Sequence, residues 1–211
     1  MQFEAGKEQL YELMIRNLLE YVRNGKILEN NPGSVMNAYT LVYNLSSNNE
    51  LNPQLLAYHN SIIEDFIKDC YEIIQKESTE QLIDKFISLT KNINILIYWM
   101  KRIFEYLDRN YLKNEIKKTL FQISMNLYKE HFFDKIQSNI YIALNKLIKE
   151  DRNGNMEPRP KIKAILKVLY DMDLQTPIMN REKESLIWSQ DTTVFTKSRT
   201  LSLAVGSSTS S

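Results

Sequence analysis

The chain has 211 residues and carries 27 Lys and Arg against 26 Asp and Glu. That balance leaves no strong net charge and argues against nucleic acid or an anionic membrane as a partner. The length suffices for one or two helical units with a real core, and the few Gly and Pro cluster between periodic segments, as in an all-α protein. Cys70 is the only cysteine, which excludes an internal disulfide and a cysteine-based zinc site; it falls on an apolar helical face and reads as a small buried hydrophobe. The longest apolar run, Ile95 to Met100, is far too short to cross a bilayer. The N-terminus, MQFEAGKEQL, lacks the basic and apolar regions of a secretory signal. These features predict an intracellular protein, cytoplasmic and/or nuclear, in which the acceptor triplet Asn44-Leu45-Ser46 has no secretory context.

In chain order, Leu10 to Val22 is amphipathic and ends at Asn24-Gly25. The turn cluster at 30–34 precedes a helix from about Val35 to Leu45, with Val35, Ala38/Tyr39 and Val42 on one stripe. After a polar loop from Ser46 to Pro53, Leu55 to Ile74 keeps the cleanest helical period in the protein. Ser78-Thr79-Glu80-Gln81 fits a capping box for a helix carrying Leu82/Ile83 and Phe86/Ile87, and Lys91-Asn92 marks a weak break. Ile116, Leu120, Ile123 and Leu127 open a further helix. Beyond His131-Phe132-Phe133, Ile136, Ile140, Ala143/Leu144 and Leu147/Ile148 form another. A Gly- and Pro-containing loop, 151–160, leads to a short helix with Ile162, Ile165/Leu166 and Leu169. A last weak helix is expected from Asn180 to about Leu203, then a disordered Ser-rich tail, 206–211.

The densest aromatic stretch is Tyr98 to Leu112, YWMKRIFEYLDRNYL. Its apolar positions recur as Trp99, Ile103, Tyr106/Leu107 and Tyr111, and periodicity by itself favours a core helix with amphipathic edges. The interleaved Tyr and Arg are also the composition of a binding face, because each joins a large apolar body to a hydrogen-bonding tip. No catalytic or cofactor pattern stands beside it. Asp151-x-Asn153-x-Asn155 imitates the start of a calcium-binding loop, but Met156 stands where Gly is needed and Ile162 where a bidentate Glu is needed, so an ordinary turn is expected. His59 and His131 are isolated from other metal ligands, and His131 is expected near a helix C-terminus. Nucleotide-binding glycine loops and a nucleophile elbow are missing. No cofactor, metal or small-molecule substrate is expected, and no enzymatic activity.

Several of these segments resemble one family. Ile103 to Tyr111 is similar to the "YLDRxY" helix near the end of the first repeat of cullins, the scaffolds of multisubunit ubiquitin ligases. Ala38 to Asn44 resembles the "YTxVYN" second helix of that repeat. Leu144 to Gly154 resembles the "LIxxERxGE" helix and turn of the second repeat, followed by Asp173-Leu174 in place of "LGL". Ser185 to Arg199, with Trp188, Phe195 and Ser198, weakly resembles the next helix. The segments come in the family's order and cover the chain to about residue 200.

The resemblance implies an all-α, elongated stack of cullin-like helical repeats. Residues 1–112 would form the first repeat and 113–205 a second, incomplete one, whose Ile187, Trp188 and Val194 would lack a stacking neighbour. It implies a non-catalytic scaffold whose partner is a BTB/POZ-fold adaptor, held by the second and fifth helices. Carried over, the contact residues are Val35, Ala38, Tyr39 and Val42 with Tyr106, Arg109 and Asn110; Val35 stands where many members have an aromatic residue. The family's C-terminal ligase domain has no counterpart in the sequence, so such a chain would bind adaptors without delivering ubiquitin. The alternative expectation is a structural helical rod in a tethering or other large assembly, with the Tyr/Arg face against neighbouring rods.

Overall fold

A computed structural model describes residues 2–25 and 32–171. The expected helix 180–203, the Ser-rich tail and the turn cluster from Asn30 lie wholly or partly outside the described residues. All regular structure among the described residues is helical. Residues up to Ile162 form one compact unit; a second begins at Lys163.

The first unit opens with α1 (Gln2–Leu10), which passes through a π-helical turn, Tyr11–Ile15, into α2 (Arg16–Asn24) without a break. The helix therefore starts well ahead of Leu10. Gly6 permits this, because a Cβ there would come within 2.9 Å of Leu45 Cδ1 on the next helix. Gly25 ends α2 in the left-handed conformation, φ 65°, with its N–H on the Tyr21 carbonyl at 2.9 Å. Next come α3 (Pro32–Ser46) and the long α4 (Asn52–Ile74), separated by a single 3₁₀ turn, Asn49–Leu51. The polar loop predicted at 46–53 is thus short. Its side chains satisfy one another: Ser46 Oγ donates to Asn52 Oδ1 at 2.6 Å in a buried contact, and Asn48 Oδ1 accepts the Glu50 N–H.

The long α5 (Leu82–Ile103) runs straight through Lys91-Asn92, where the sequence predicted a break. Asn in a helix interior costs only a fraction of a kcal/mol, whereas Ile93, Leu96 and Ile97 are buried on the same stripe as Phe86 and Leu89. The predicted capping box before α5 is also absent: Gln81 is the N-cap residue, without a side-chain cap, and the Ser78 backbone carbonyl receives the N–H groups of Gln81 and Leu82. The interruption comes instead at Phe104, φ −96° and ψ 17°. It is followed by the short α6 (Glu105–Leu107) and a nine-residue π-helical segment, Asp108–Ile116.

Lys117, in the left-handed conformation at φ 56°, stops that segment, so Ile116 closes one helix rather than opening the next. The capping box belongs to α7 (Leu120–Tyr128): Thr119 Oγ1 accepts the Gln122 N–H at 3.2 Å, and Gln122 Oε1 accepts the Thr119 N–H at 2.9 Å. A π-helical turn, Lys129–Phe133, carries α7 directly into α8 (Asp134–Arg152). His131 therefore lies within a continuous helix, not at its end, with Nε2 3.7 Å from Glu64 Oε1. After the turn at Asn153-Gly154 comes α9 (Arg159–Asp171). The described part of the second unit, Lys163–Asp171, is the remainder of that helix.

The core is the seam between α4 and α5, widened by α2 and α7. Ile63, Phe66, Ile67, Cys70 and Ile74 of α4 are fully or almost fully buried, as are Phe86, Ile93, Leu96 and Met100 of α5. The period-3.6 reading of 55–74 is met at Leu55, Ile62/Ile63, Phe66/Ile67, Cys70 and Ile74 but not at Ile73, which is exposed, and the Cys70 thiol is pushed up to about 12 chiefly by its burial. Phe132 stacks against Phe86, ring centroids 6.1 Å apart, and Tyr128 closes the cluster with its hydroxyl 2.9 Å from Thr90 Oγ1.

The two caps make a test. Replacing Thr119 with Ala is expected to lower unfolding free energy by about 1 kcal/mol in a denaturant titration. Ser78→Ala should stay within about 0.5 kcal/mol of the parent. The reverse ranking would contradict the assigned N-termini.

A candidate partner-binding surface between α3 and α6

The aromatic stretch 98–112 is not one helix. It holds the end of α5, the interruption at Phe104, α6 and part of the π-helical segment. Its buried set is Met100, Ile103, Phe104, Leu107 and Leu112, while Trp99, Tyr106 and Tyr111 are half-buried. The apolar positions read from the sequence, Trp99, Ile103, Tyr106/Leu107 and Tyr111, put three half-buried aromatics on the core stripe and left out Phe104, which is fully buried.

Phe104 is locked from below. Its ring meets the edge of His59 on α4, with centroids 5.2 Å apart at 74°, and both residues have no exposed surface. Burial lowers the His59 pKa to about 4, opposed by its bond to Asn60 and the charge of Asp108. The imidazole is therefore neutral at pH 7. With Nδ1 assigned as the donor to Asn60 Oδ1 at 3.0 Å, Nε2 is a bare acceptor with no hydrogen-bond partner among the described residues. Asp108 does not pair with its neighbour Arg109; its Oδ1 accepts the N–H of Leu120 at 2.7 Å and so caps α7 across the turn. The π segment is braced by amide side chains: Asn110 Nδ2 donates to the Tyr106 carbonyl at 3.0 Å and Asn114 Nδ2 to the Asn110 carbonyl at 2.7 Å.

On that support α6 packs against α3. The rings of Tyr43 and Tyr106 meet edge to face, centroids 4.6 Å apart at 75°. Tyr43 is exposed and Tyr106 half-buried, so the pair is both packed and partly open to solvent. Arg109 and Asn110 are exposed beside it, and Arg109 Nη2 donates to Glu105 Oε1. Val35 and Tyr39 are half-buried. Ala38 and Val42 have no exposed surface and form the inner stripe of α3. Of the seven residues singled out in the sequence, five can thus reach solvent, and Ala38 and Val42 cannot touch a partner in this conformation. Tyr106 meets α3 at Tyr43, four residues beyond Tyr39. Exposed Tyr43 was legible as the second tyrosine of the Tyr39-Thr40-Leu41-Val42-Tyr43 run.

Between α3 and α5 lies a groove of about 590 Å³, lined on one side by Val35, Met36 and Tyr39 and on the other by Tyr98, Lys101 and Arg102, with Glu105 at its end. No group of three or more metal-ligating side chains occurs among the described residues. In the turn once compared with a calcium loop, Asp151 pairs with Arg159 at 2.5 Å and Asn155 Oδ1 accepts the Glu157 N–H at 3.1 Å.

The family model described as the Cullin alpha solenoid domain matches residues 17–198, nearly the whole chain. The chain belongs to the cullin family. Among cullin relatives, it is 22% identical to Cullin-1 of Oryza sativa subsp. japonica over 177 residues, 79% of this chain and 23% of that protein. It is 26% identical to Cullin-2 of Arabidopsis thaliana over 141 residues, 65% of this chain and 19% of that protein. It is also 22% identical to Putative cullin-like protein 1 of Arabidopsis thaliana over 168 residues, 78% and 23% respectively. The chain therefore spans about a quarter or less of these cullins. An all-helical cullin-type chain accounts for the absence of strands among the described residues. No described helix is long and apolar enough to cross a membrane.

Buried, neutral His59 yields a pH dependence of stability. Above pH 6.5 neither state holds the proton; between 6.5 and about 4 only the unfolded chain takes it up, so stability falls as pH falls through that window. The loss should total on the order of 3 kcal/mol at the acid end. In denaturant titrations at stepped pH, His59→Leu should have a shallower slope between pH 6.5 and 4 than the parent. Equal slopes would show that His59 is not the group responsible.

Proposed function

We propose that the chain is a non-catalytic cullin-type scaffold, in which the surface shared by α3 and α6 binds a BTB/POZ-fold adaptor of a multisubunit ubiquitin ligase. The edge-to-face Tyr43–Tyr106 pair carries this reading, flanked by exposed Arg109 and Asn110 and by half-buried Tyr39 and Val35. Tyr and Arg dominate interface energetics, because they bury large areas while keeping a polar tip satisfied. A pair already packed against each other gives up little side-chain entropy on binding. The direct contact set on this reading is Val35, Tyr39, Tyr43, Tyr106, Arg109 and Asn110. Ala38 and Val42 act indirectly, by seating α3 on the core so that its outer stripe faces α6. Residues 1–112 would then correspond to the first cullin repeat and 113–205 to part of the second, with action in the cytoplasm or nucleus.

The sequence resemblance favours this partner, and the family membership supplies the scaffold class. Calorimetry with a purified BTB-fold adaptor tests it. Tyr39→Ala combined with Tyr106→Ala should weaken binding at least about a hundredfold, since each hot-spot aromatic contributes roughly 2 kcal/mol or more. Ile63→Ala with Phe66→Ala should instead damage folding, at roughly 2–5 kcal/mol for each truncation. A tyrosine double that unfolds as readily as the core double would make the tyrosines packing residues. A folded tyrosine double with unchanged affinity would place the adaptor site elsewhere. A wild-type chain that ignores BTB-fold adaptors altogether would overturn the reading.

A further inference from the structure

A second cavity shares no residue with the surface between α3 and α6. It holds about 350 Å³ where α8 passes the end of α4 and the turn into α5. Its floor is apolar: Leu82 and Ile136 are buried there, and half-buried Tyr71 offers the face of its ring. The Lys135 ammonium stands over that ring, 4.9 Å from its centre, and pairs with no carboxylate among the described residues. Its neighbour Asp134 is already held by Lys129 at 2.8 Å. Glu77, the one carboxylate lining the cavity, is held by Lys85 at 3.3 Å. Gln75, Thr79 and Asn139 complete the rim. All three are exposed, and their side chains spend no hydrogen bond on another described residue.

We propose that this cavity takes the carboxylate of an acidic side chain from a partner protein, in a segment that also lays an aliphatic residue on Ile142. Over an apolar floor an ion pair with Lys135 is less screened than one on the open surface. The Tyr71 ring holds the ammonium through its quadrupole and leaves the N–H groups free to donate. A carboxylate offers about four acceptor positions, and the two carboxamides and the hydroxyl supply donors for those that Lys135 leaves open. Lys135, Asn139 and Ile142 follow one another at i, i+4 and i+7 on one face of α8. The cation and the apolar contact therefore lie about 10 Å apart along the axis, the reach of about three residues of extended chain. Ile142 is 65% exposed, and a free small anion would fill the cavity and leave it bare. A protein segment covers both. Nucleic acid needs a row of cations, whereas this cavity has one uncommitted.

The test follows the side-chain amide signals of Gln75 and Asn139 by NMR on the full, isotope-labelled chain. The probe is a pool of blocked tetrapeptides that begin with glutamate and end with leucine. Those signals should shift saturably, with a dissociation constant on the order of 1 mM. Glutamine in place of the glutamate should weaken binding about tenfold or more, a comparison that needs no variant. Lys135→Gln should weaken the glutamate peptides by about the same factor. Ile142→Ser should weaken them about threefold or more and leave succinate unaffected. Both altered side chains are exposed, so an unchanged thermal melt certifies each variant. No saturable shift at Gln75 and Asn139, or peptides indifferent to the glutamate or to Lys135, would overturn the proposal. Succinate bound as tightly as the peptides, or inorganic phosphate bound more tightly, would overturn it in favour of a small-anion site. The cavity is separate from the α3–α6 surface, so neither outcome bears on adaptor binding, and a chain deaf to every BTB-fold adaptor leaves this proposal standing.

Discussion

The apolar seam between α4 and α5 is the constraint from which the rest follows. Each helix exceeds twenty residues and buries one stripe along its whole length. At roughly 1.5–3 kcal/mol for each fully buried Ile, Leu or Phe side chain, the seam outweighs any cap or surface ion pair in the molecule. This explains why α5 ignores the polar pair Lys91-Asn92 and why α4 begins at Asn52, before its first apolar residue. The surface ion pairs are helical neighbours or exposed contacts, such as Lys7 with Glu4 and Lys68 with Glu64, and add little by comparison.

What the seam cannot do is continue past Ile103. There Phe104 turns into the core against His59, at the cost of helical geometry, and the chain resumes as α6. Burying a histidine ring with one unpartnered nitrogen is unfavourable, but the neutral form limits that cost, and the edge-to-face contact with Phe104 recovers part of it. Two residues beyond the interruption, the ring of Tyr106 comes against Tyr43 of α3. Asp108 then ties the start of the π segment to the first turn of α7, so the surface-bearing residues are held from both sides.

Of the three π-helical segments among the described residues, two carry one helix directly into the next, and the third, Asp108–Ile116, ends at left-handed Lys117. Tyr11–Ile15 links α1 to α2, and Lys129–Phe133 brings both Phe132 and Phe133 into the core. Asp108–Ile116 lies beneath the exposed Arg109 and Asn110. Such segments are often found where function needs a side chain re-aimed. Here the segment presents exposed Arg109 and Asn110 beside Tyr106.

Period and composition determined the helical class, the burial of Cys70 and the stripes of α4 and α8, because each of those helices runs long enough for its apolar period to be unambiguous. The left-handed stop at Gly25 was equally legible, since only a residue without a Cβ adopts that conformation freely. The tyrosine- and arginine-containing segments had the composition of a binding face, although the period of 98–112 favoured a core helix with amphipathic edges. Tertiary structure alone decided which of their residues face outward. Ala38 and Val42 share a stripe with Tyr39 on a helical wheel, yet packing against the core takes them out of reach. Tyr43 and Tyr98 stay open because nothing in the described unit covers them. Thr119 rather than Ser78 caps a helix: left-handed Lys117 stops the preceding segment just before it, and the Asp108 carboxylate accepts the Leu120 N–H from farther back along the chain. A sequence period assumes one uninterrupted helix; here the chain breaks it at Phe104, buried against His59 on α4, a contact with a residue far away in sequence.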